Sequence, residues 1–346
     1  MSANLPRLTV PPPVELKRIA DRYAGFAHSE VQGASPIYER MALAVAETSE
    51  LLEFLATVPS DRQQPNLFLA AVRRLHGVPA GPKHLIAIVR DDGARIRALM
   101  MARTTQTNEP ARCAVLMPLL AQLPQPLALI EVGASAGLCL LPDRYRYQYG
   151  TAQRATAAVA AGTAPIFRCR VSGPVPMPSA VPRIVWRRGL DLNPLDLDSD
   201  DDVAWLETLV WPEQETRLAG LHAAIRVARQ EPPVVAKGDL VTDLPLLLEA
   251  APDEATVVVF HTAALAYVAA ADRARFVEVV RGSRAVWISN EAPGVLPTLA
   301  SAAPPPPAPG LFLLMQDGVP LAWTGPHGQS IDWFGVAPPA SSGRRD

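Results

Sequence analysis

The sequence has few cysteines and lacks any closely spaced cysteine pair. Three cysteines occur in 346 residues, at Cys113, Cys139 and Cys169, and none belongs to a C-x-x-C motif. This spacing excludes the common structural zinc motifs and a disulfide framework. Because free thiols are typical of a reducing compartment, we expect a cytoplasmic protein without a metal site.

The chain also lacks an excess of charge of either sign. It contains 32 Lys and Arg against 34 Asp and Glu, which gives a formal net charge of -2. Domains that bind nucleic acid are usually strongly basic, so we expect no nucleic-acid partner. The most apolar stretch, 113–130, is interrupted by three prolines and argues against a membrane span. The expected partner is a small-molecule substrate, and the sequence leaves the oligomeric state open.

Apolar residues make up 49% of the chain and are arranged with helical spacing in its first third. Ser35 followed by Pro36 predicts a helix with a serine cap and a proline in its first turn. No pattern typical of strands interrupts this part. We therefore predict an all-helical N-terminal region over 1–123, in which the proline-rich residues 1–13 form a loose arm.

The pattern changes after Pro126. Five short β-rich runs begin at Leu127, Ile184, Val234, Val257 and Val286. Alternation of such runs with helical stretches is typical of a parallel α/β sheet. Asp317-Gly318 lies between two apolar runs and predicts a hairpin. We therefore predict an α/β fold with a doubly wound Rossmann-like sheet over 124–336. It would carry a C-terminal antiparallel hairpin, an insertion at about 145–182 and a tail at 337–346.

A turn rich in small residues, Glu131–Gly137, follows the first predicted strand, and a helix is expected from Leu138 onward. Ligands bind outside the carboxyl ends of strands in such sheets, and a helix N-terminus offers free amides. A dinucleotide fingerprint requires glycine where Ser135 stands, which argues against a dehydrogenase.

The same turn matches the nucleophile elbow G-x-S-x-G, with Ser135 as the nucleophile. The required acid and histidine are available later in the chain, as Asp239 or Asp243 and His261 or His327. The motif is short and leaves Glu131 unexplained. A serine hydrolase therefore stays as an alternative.

Acids at three strand ends favour a third interpretation. Glu131 ends the first strand, Asp191 follows the second and Asp239 follows the third. This series resembles the one found in seven-stranded S-adenosylmethionine-dependent methyltransferases. A carboxylate can accept the protons of both ribose hydroxyls. The expected cofactor is S-adenosylmethionine, and the expected binding residues are Glu131, Gly133, Ser135, Gly137, Asp191, Leu192, Asp239 and Leu240.

The expected reaction is methyl transfer to an O, N or S nucleophile of a small molecule. His261 follows the fourth strand, where a histidine can act as a general base or hydrogen-bond to a loop. A polar segment before the helix near residue 110 serves either capping or a pocket. The candidate pocket residues are Gln106, Asn108, Glu109, Arg112 and Tyr145. A non-catalytic protein that keeps the fold is the remaining alternative.

Several longer motifs are similar to a bacterial family. They are Arg103–Glu109, Glu131–Leu138, Asp143–Tyr147, Gly189–Asp191 and Leu209–Gln214. On these motifs, nearly the whole chain resembles bacterial domain-of-unknown-function family 2332. That resemblance implies no particular reaction, so the methyltransferase hypothesis depends on the strand-end acids. The family's usual asparagine after Gly-Leu is Cys139 in this sequence.

Overall fold

The computed structural model describes residues 12–150 and 164–336, whose contacts divide into two compact units. The first unit comprises 12–107 together with Ala204–Glu215, and the second comprises the other described residues. The predicted tail and most of the predicted arm lie outside the described residues. The domain boundary at 123 stays a prediction.

The first unit begins with the N-terminal helices. They are α1 (Pro13–Phe26), α2 (Pro36–Glu47), α3 (Ser49–Ala56), α4 (Pro65–His76) and α5 (Pro82–Ala102). The predicted serine cap is confirmed, because the Ser35 hydroxyl accepts the Tyr38 amide at 3.2 Å. The sequence prediction of an N-terminal helical region is therefore confirmed.

The later helices are α6 (Cys113–Leu120), α7 (Asp200–Leu209), α8 (Glu215–Gln230), α9 (Leu244–Ala250), α10 (Ala270–Arg281) and α11 (Pro297–Ala300). No helix in the described ranges is both long enough and apolar enough to cross a membrane.

The second unit contains a mostly parallel sheet of ten strands. They are β1 (Leu127–Val132), β2 (Arg146–Tyr149), β3 (Ile166–Ser172), β4 (Ile184–Asp191), β5 (Val235–Lys237), β6 (Thr256–Thr262), β7 (Val286–Glu291), β8 (Phe312–Gln316), β9 (Val319–Thr324) and β10 (Ser330–Trp333). Their order is β2-β3-β10-β9-β8-β7-β6-β1-β4-β5. The α/β class is therefore confirmed, but the sheet has ten strands instead of seven.

The order of the parallel strands reverses at β1. Strands β4 and β5 lie on one side of β1, whereas β6 and β7 lie on the other side. Such a reversal is a topological switch point, where crevices form outside the carboxyl ends of the strands. The five strands predicted from the sequence therefore form the part of the sheet most suited to binding a ligand.

The predicted hairpin is confirmed, since β8 and β9 pair antiparallel around Asp317 and Gly318. Both turn residues have positive φ, 53° and 81°, as a two-residue hairpin turn requires. The predicted insertion contributes β2 and β3, which continue the sheet beyond β10. Its segment 151–163 lies outside the described residues.

The prediction of a helix from Leu138 onward was wrong. Only two short 3₁₀ turns, Leu138–Leu140 and Pro142–Arg144, follow β1. The Leu138 amide is bound by the side chain of Asn108, and Pro142 supplies no amide for a helical ladder. The turn after β1 therefore has no α-helix N-terminus.

The two faces of the sheet differ in character near the carboxyl edge. Val132 and Trp287 belong to an apolar core that also contains Phe276 of α10. Side chains alternate along a strand, so Glu131 and its paired neighbour Phe260 face the opposite side. This alternation decides which polar residues can meet.

Candidate functional site at the carboxyl edge of the sheet

The backbone amides of the turn after β1 are bonded within the protein. Gly133 donates to the Leu190 carbonyl at 2.8 Å, and Gly137 donates to the Ala134 carbonyl at 2.7 Å. Ser135 donates to Asp191 Oδ2 at 2.8 Å. The expectation of free helix-terminal amides at this turn was therefore wrong, because no α-helix begins there and these amides already have acceptors.

The glycines of the turn permit close packing. A Cβ at Gly133 would lie 2.4 Å from Ala264 Cβ, and a Cβ at Gly137 would lie 2.8 Å from Pro233 Cγ. The turn thus fits between the segments that lead into β5 and out of β6. The small size of Gly133 and Gly137 serves this packing whether or not a ligand binds.

The acids after β4 and β5 lie at the ends of neighbouring strands. Asp191 Oδ2 binds the Ser135 amide, and its Oδ1 binds the Asn193 amide at 2.8 Å. Asp239 Oδ1 accepts the amides of Val241 and Thr242 at 2.7 and 3.1 Å. Asp191 therefore holds both the turn after β1 and its own loop, whereas Asp239 holds its own loop.

The two leucines that follow these acids have different surroundings. Leu192 is 58% exposed, which leaves an apolar side chain in solvent beside Asp191. Leu240 is buried in the apolar core. Of the two predicted cofactor contacts, Leu192 therefore presents a free apolar surface, whereas Leu240 packs inside the fold.

Glu131 is the most unusual carboxyl group at this edge. It is 2% exposed, and its Oε2 has no hydrogen-bond partner in the ranges that the structure describes. Burial raises the pKa of Glu131 well above its usual range, Cys139 and Asp191 raise it further, and Arg112 opposes the shift. The site therefore favours the protonated carboxyl, which can donate a hydrogen bond.

Because the pKa of Glu131 is raised on folding, the folded protein holds this proton more tightly than the unfolded chain. Its contribution to stability is present below the unfolded pKa and is lost as pH rises toward the folded pKa. The loss approaches about 1.4 kcal/mol per pH unit within that window. We expect the stability of Glu131→Gln relative to wild type to be higher at about pH 8 than at about pH 5.

Urea unfolding at both pH values measures this difference. The exposed Glu249→Gln is the matched control, and its stability relative to wild type should be independent of pH. A Glu131→Gln effect that is equal at both pH values would contradict the shift.

Arg112 is buried and lies near enough to Glu131 to lower the pKa of that carboxyl. It is 6% exposed, its Nε donates to the Pro326 carbonyl at 2.8 Å, and its Nη1 donates to the Thr262 carbonyl at 3.1 Å. These carbonyls belong to the loop after β9 and to the end of β6. Main-chain acceptors thus fix the guanidinium at the carboxyl edge.

Glu109 binds a second arginine beside Arg112. Arg217 Nε lies 2.6 Å from Glu109 Oε2, and His327 Nδ1 lies 4.0 Å from the same oxygen. Burial lowers the pKa of His327 well below its usual range, and Arg217 and Arg112 lower it further. His327 is therefore neutral at physiological pH, and the ion pair accounts for the charge of Glu109.

The other predicted pocket residues have varied surroundings. Asn108 binds the turn through Leu138, at 2.9 Å, and does not cap its own helix. Tyr145 is 1% exposed and its hydroxyl donates to the Leu138 carbonyl at 2.8 Å, so it packs inside the unit. Gln106 belongs to the first unit, where its Oε1 accepts the Thr104 hydroxyl.

The contacts of His261 argue against a role as a general base. It is fully buried, its Nε2 accepts the Trp287 indole N–H at 3.0 Å, and its Nδ1 lies 2.8 Å from Glu291 Oε1. An indole nitrogen can only donate, so the ring proton is on Nδ1. Strand alternation also directs His261 away from the face of Glu131. The ring of His261 is therefore a satisfied core group, which argues against its catalytic assignment, and that assignment stays a prediction.

Ser135 has one feature of a nucleophile elbow and lacks others. Its φ of 53° is uncommon for serine and indicates local strain. However, Ser135 is only 4% exposed, and a 3₁₀ turn follows it in place of a helix. An elbow instead exposes its serine at the start of a helix.

Cys139 is buried beside Glu109, and its Sγ donates to the Glu109 carbonyl at 3.3 Å. A hydrogen bond with Cys113, together with burial, raises the pKa of Cys139 well above its usual range. Cys139 is therefore a structural thiol. Across the described residues, no group of three or more His, Cys, Asp or Glu side chains is arranged to hold a metal ion.

Sequence reasoning missed the contacts that Arg217 and His327 make with Glu109. Neither lies in a motif near Glu109, since α8 and the loop after β9 come from distant parts of the chain. No local signal indicates this contact. Only long-range pairing brings the two side chains to Glu109.

The described residues define an α/β protein with a polar cluster at the carboxyl edge of its sheet. A family model described as an uncharacterized protein conserved in bacteria, DUF2332, matches residues 20–333, and the chain belongs to this family. No curated protein and no solved structure matches the chain.

Proposed function

We propose that the second unit binds S-adenosylmethionine and transfers its methyl group to a small molecule. The observation that carries the proposal is the position of three acids, Glu131, Asp191 and Asp239. They occupy the carboxyl ends of the adjacent strands β1, β4 and β5, beside the reversal of strand order. Crevices at such reversals are the usual ligand sites of open α/β sheets.

The chemistry of these groups suits an adenosine. Asp191 ends β4, and a carboxylate there can accept the protons of two ribose hydroxyls. The exposed Leu192 provides an apolar surface for an adenine ring. Asp239 Oδ1 already accepts two amides, so Oδ2 is the oxygen available to an adenine amine.

The order of the parallel strands also supports the proposal. Numbered along the chain, the five parallel strands β1, β4, β5, β6 and β7 stand in the order 3-2-1-4-5. Doubly wound nucleotide-binding sheets share this order. The fold analogy adds to the argument from the acids and does not replace it.

When bound, the cofactor would supply an electrophilic methyl group, and the protein would align the acceptor with it. Alignment alone can lower a bimolecular barrier substantially. With His261 buried among core groups, deprotonation of the acceptor falls to other groups or to the acceptor itself. Glu131, held toward its protonated form, suits hydrogen-bond donation.

The test is a thermal-shift and calorimetric titration of the full chain with S-adenosylmethionine and S-adenosylhomocysteine. A ligand at 100 times its Kd stabilises the folded state by about 2.7 kcal/mol. We expect Asp191→Ala to weaken this binding at least about tenfold, since charge-assisted hydrogen bonds contribute about 1.5–3 kcal/mol.

Asp196→Ala is the matched control, because Asp196 also holds a backbone amide, that of Asp198, but lies beyond the strand end. It should leave the affinity unchanged. Absence of binding by either ligand to folded wild type would overturn the proposal. Labelling by a fluorophosphonate that is lost in Ser135→Ala would instead establish the hydrolase.

A further inference from the structure

Arg112 carries a buried positive charge that has no carboxylate partner among the described residues. Its guanidinium contacts two main-chain carbonyls, and no Asp or Glu oxygen lies within 4.0 Å of it in the described part of the chain. A buried cation is costly unless it is paired and fully hydrogen-bonded. Two neutral carbonyls satisfy part of this requirement and supply no opposite charge.

The surrounding groups do not neutralise Arg112. Glu109 is engaged by Arg217 at 2.6 Å, and His327 adds no negative charge. Burial favours the protonated form of Glu131, and no hydrogen bond joins it to Arg112 among the described residues. The cluster of Glu109, Arg112, Arg217 and His327 therefore has one excess positive charge.

The geometry of Arg112 leaves a defined set of donors. A guanidinium has five N–H groups, and two of them are used by Pro326 and Thr262. The remaining hydrogens lie on Nη1 and Nη2, the edge that binds a carboxylate through two parallel hydrogen bonds. This edge is fixed in position by the two carbonyl contacts.

Asn290 provides a second unsatisfied group nearby. Asn290 of β7 pairs with Thr262 of β6, and the side chain of Asn290 is fully buried. The Thr324 hydroxyl binds Asn290 Oδ1 at 2.7 Å, whereas Nδ2 has no partner in the described ranges. A buried amide donor without an acceptor is itself costly, and a bound anion would satisfy it.

We propose that Arg112 binds the carboxylate of a small-molecule ligand at the carboxyl edge of the sheet, with the amide of Asn290 as an additional donor. The ligand would be the methyl acceptor, and this part of the inference rests on the proposed function. Binding of the carboxylate itself stands on the residues named above.

The experiment measures the melting temperature of the full chain in sodium benzoate and sodium succinate, with sodium chloride at equal ionic strength as reference. We expect both carboxylates to raise the melting temperature above the chloride value. Arg112→Gln should weaken their apparent affinity at least tenfold. Arg187→Gln is the matched control, because Arg187 is partly buried, at 13% side-chain exposure, but is paired with Asp143 at 2.8 and 3.0 Å, and it should keep the effect.

Two further variants keep the test decisive if Arg112→Gln does not fold. Arg112→Lys retains the charge but loses the planar fork, and Asn290→Ala removes the amide donor; both should weaken the carboxylate effect. Equal shifts in carboxylate and chloride, or an unchanged shift in the folded Arg112 variants, would overturn the proposal. A larger shift with inorganic phosphate would overturn the choice of a carboxylate.

A final arm separates a methyl acceptor from the cofactor's own carboxylate. At saturating S-adenosylhomocysteine, the carboxylates should still raise the melting temperature if the two sites are distinct. Loss of the effect would assign Arg112 to the cofactor and overturn the acceptor role. If S-adenosylhomocysteine does not bind, the proposed function fails, while the carboxylate titration still tests Arg112.

Discussion

Glu291→Ala is expected to destabilise the unit that contains the sheet by about 3–5 kcal/mol. Glu291 Oε1 accepts three hydrogen bonds, from His261 Nδ1 at 2.8 Å and from the amides of Ala264 and Leu265 at 2.9 and 3.1 Å. Truncation would leave these donors without an acceptor, and each buried orphan costs about 1–3 kcal/mol. His261 cannot turn to another partner, because Trp287 holds its Nε2.

Urea unfolding followed by circular dichroism measures this loss. Glu291→Gln keeps an oxygen at the acceptor position, so it should retain more than half of the stability that alanine removes. The control is Glu278→Ala on the exposed side of α10, with an expected change within about 0.5 kcal/mol. A loss in Glu291→Ala no larger than that of the control would refute the role of this carboxylate.

Gly133→Ala is expected to destabilise the protein by about 2–4 kcal/mol, from overpacking and backbone strain together. The new Cβ would lie 2.4 Å from Ala264 Cβ, and Gly133 has a φ of 73°. A left-handed conformation costs a residue with a Cβ about 1–2 kcal/mol. The remainder comes from moving the segment after β6 away from the turn.

Two variants separate the contributions to this loss. Gly33→Ala has nearly the same φ, 72°, with nothing within 4 Å of the new Cβ, so it should show the backbone cost alone. Gly133→Ala combined with Ala264→Gly removes the clash and should recover stability to about the level of Gly33→Ala. Equal losses for the single variants at Gly133 and Gly33 would show that the turn is not tightly packed.

Local patterns were sufficient to predict several elements. Ser35 caps α2, and Asp317-Gly318 forms the hairpin turn, because these features depend on residues within a few positions of each other. The five predicted strands of the parallel part are also present. Strands β2, β3 and β10 were not predicted, and the pairing of β3 with β10 joins segments more than 100 residues apart, as in Arg170 with Ser330.

The candidate site was partly predictable for the same reason. Glu131, Asp191 and Asp239 are found at strand ends because strand ends follow from local patterns. The role of His261 was not predictable, because it depends on the face to which one strand residue points and on Trp287 and Glu291. The cofactor role of Glu131, Asp191 and Asp239 stays a prediction that the proposed titrations test.

The sequence by itself determined the helical N-terminal region, the alternation of strands and helices, and the order of acids along the chain. These features follow from periodicity and short-range chemistry. Only the tertiary structure decided that the turn after β1 uses its amides internally and that His261 belongs to the core. It also decided that Arg112 is buried with no carboxylate partner in the part of the chain that the structure describes. The physical reason is that partners such as Pro326 and Thr262 approach Arg112 only when distant strands pair.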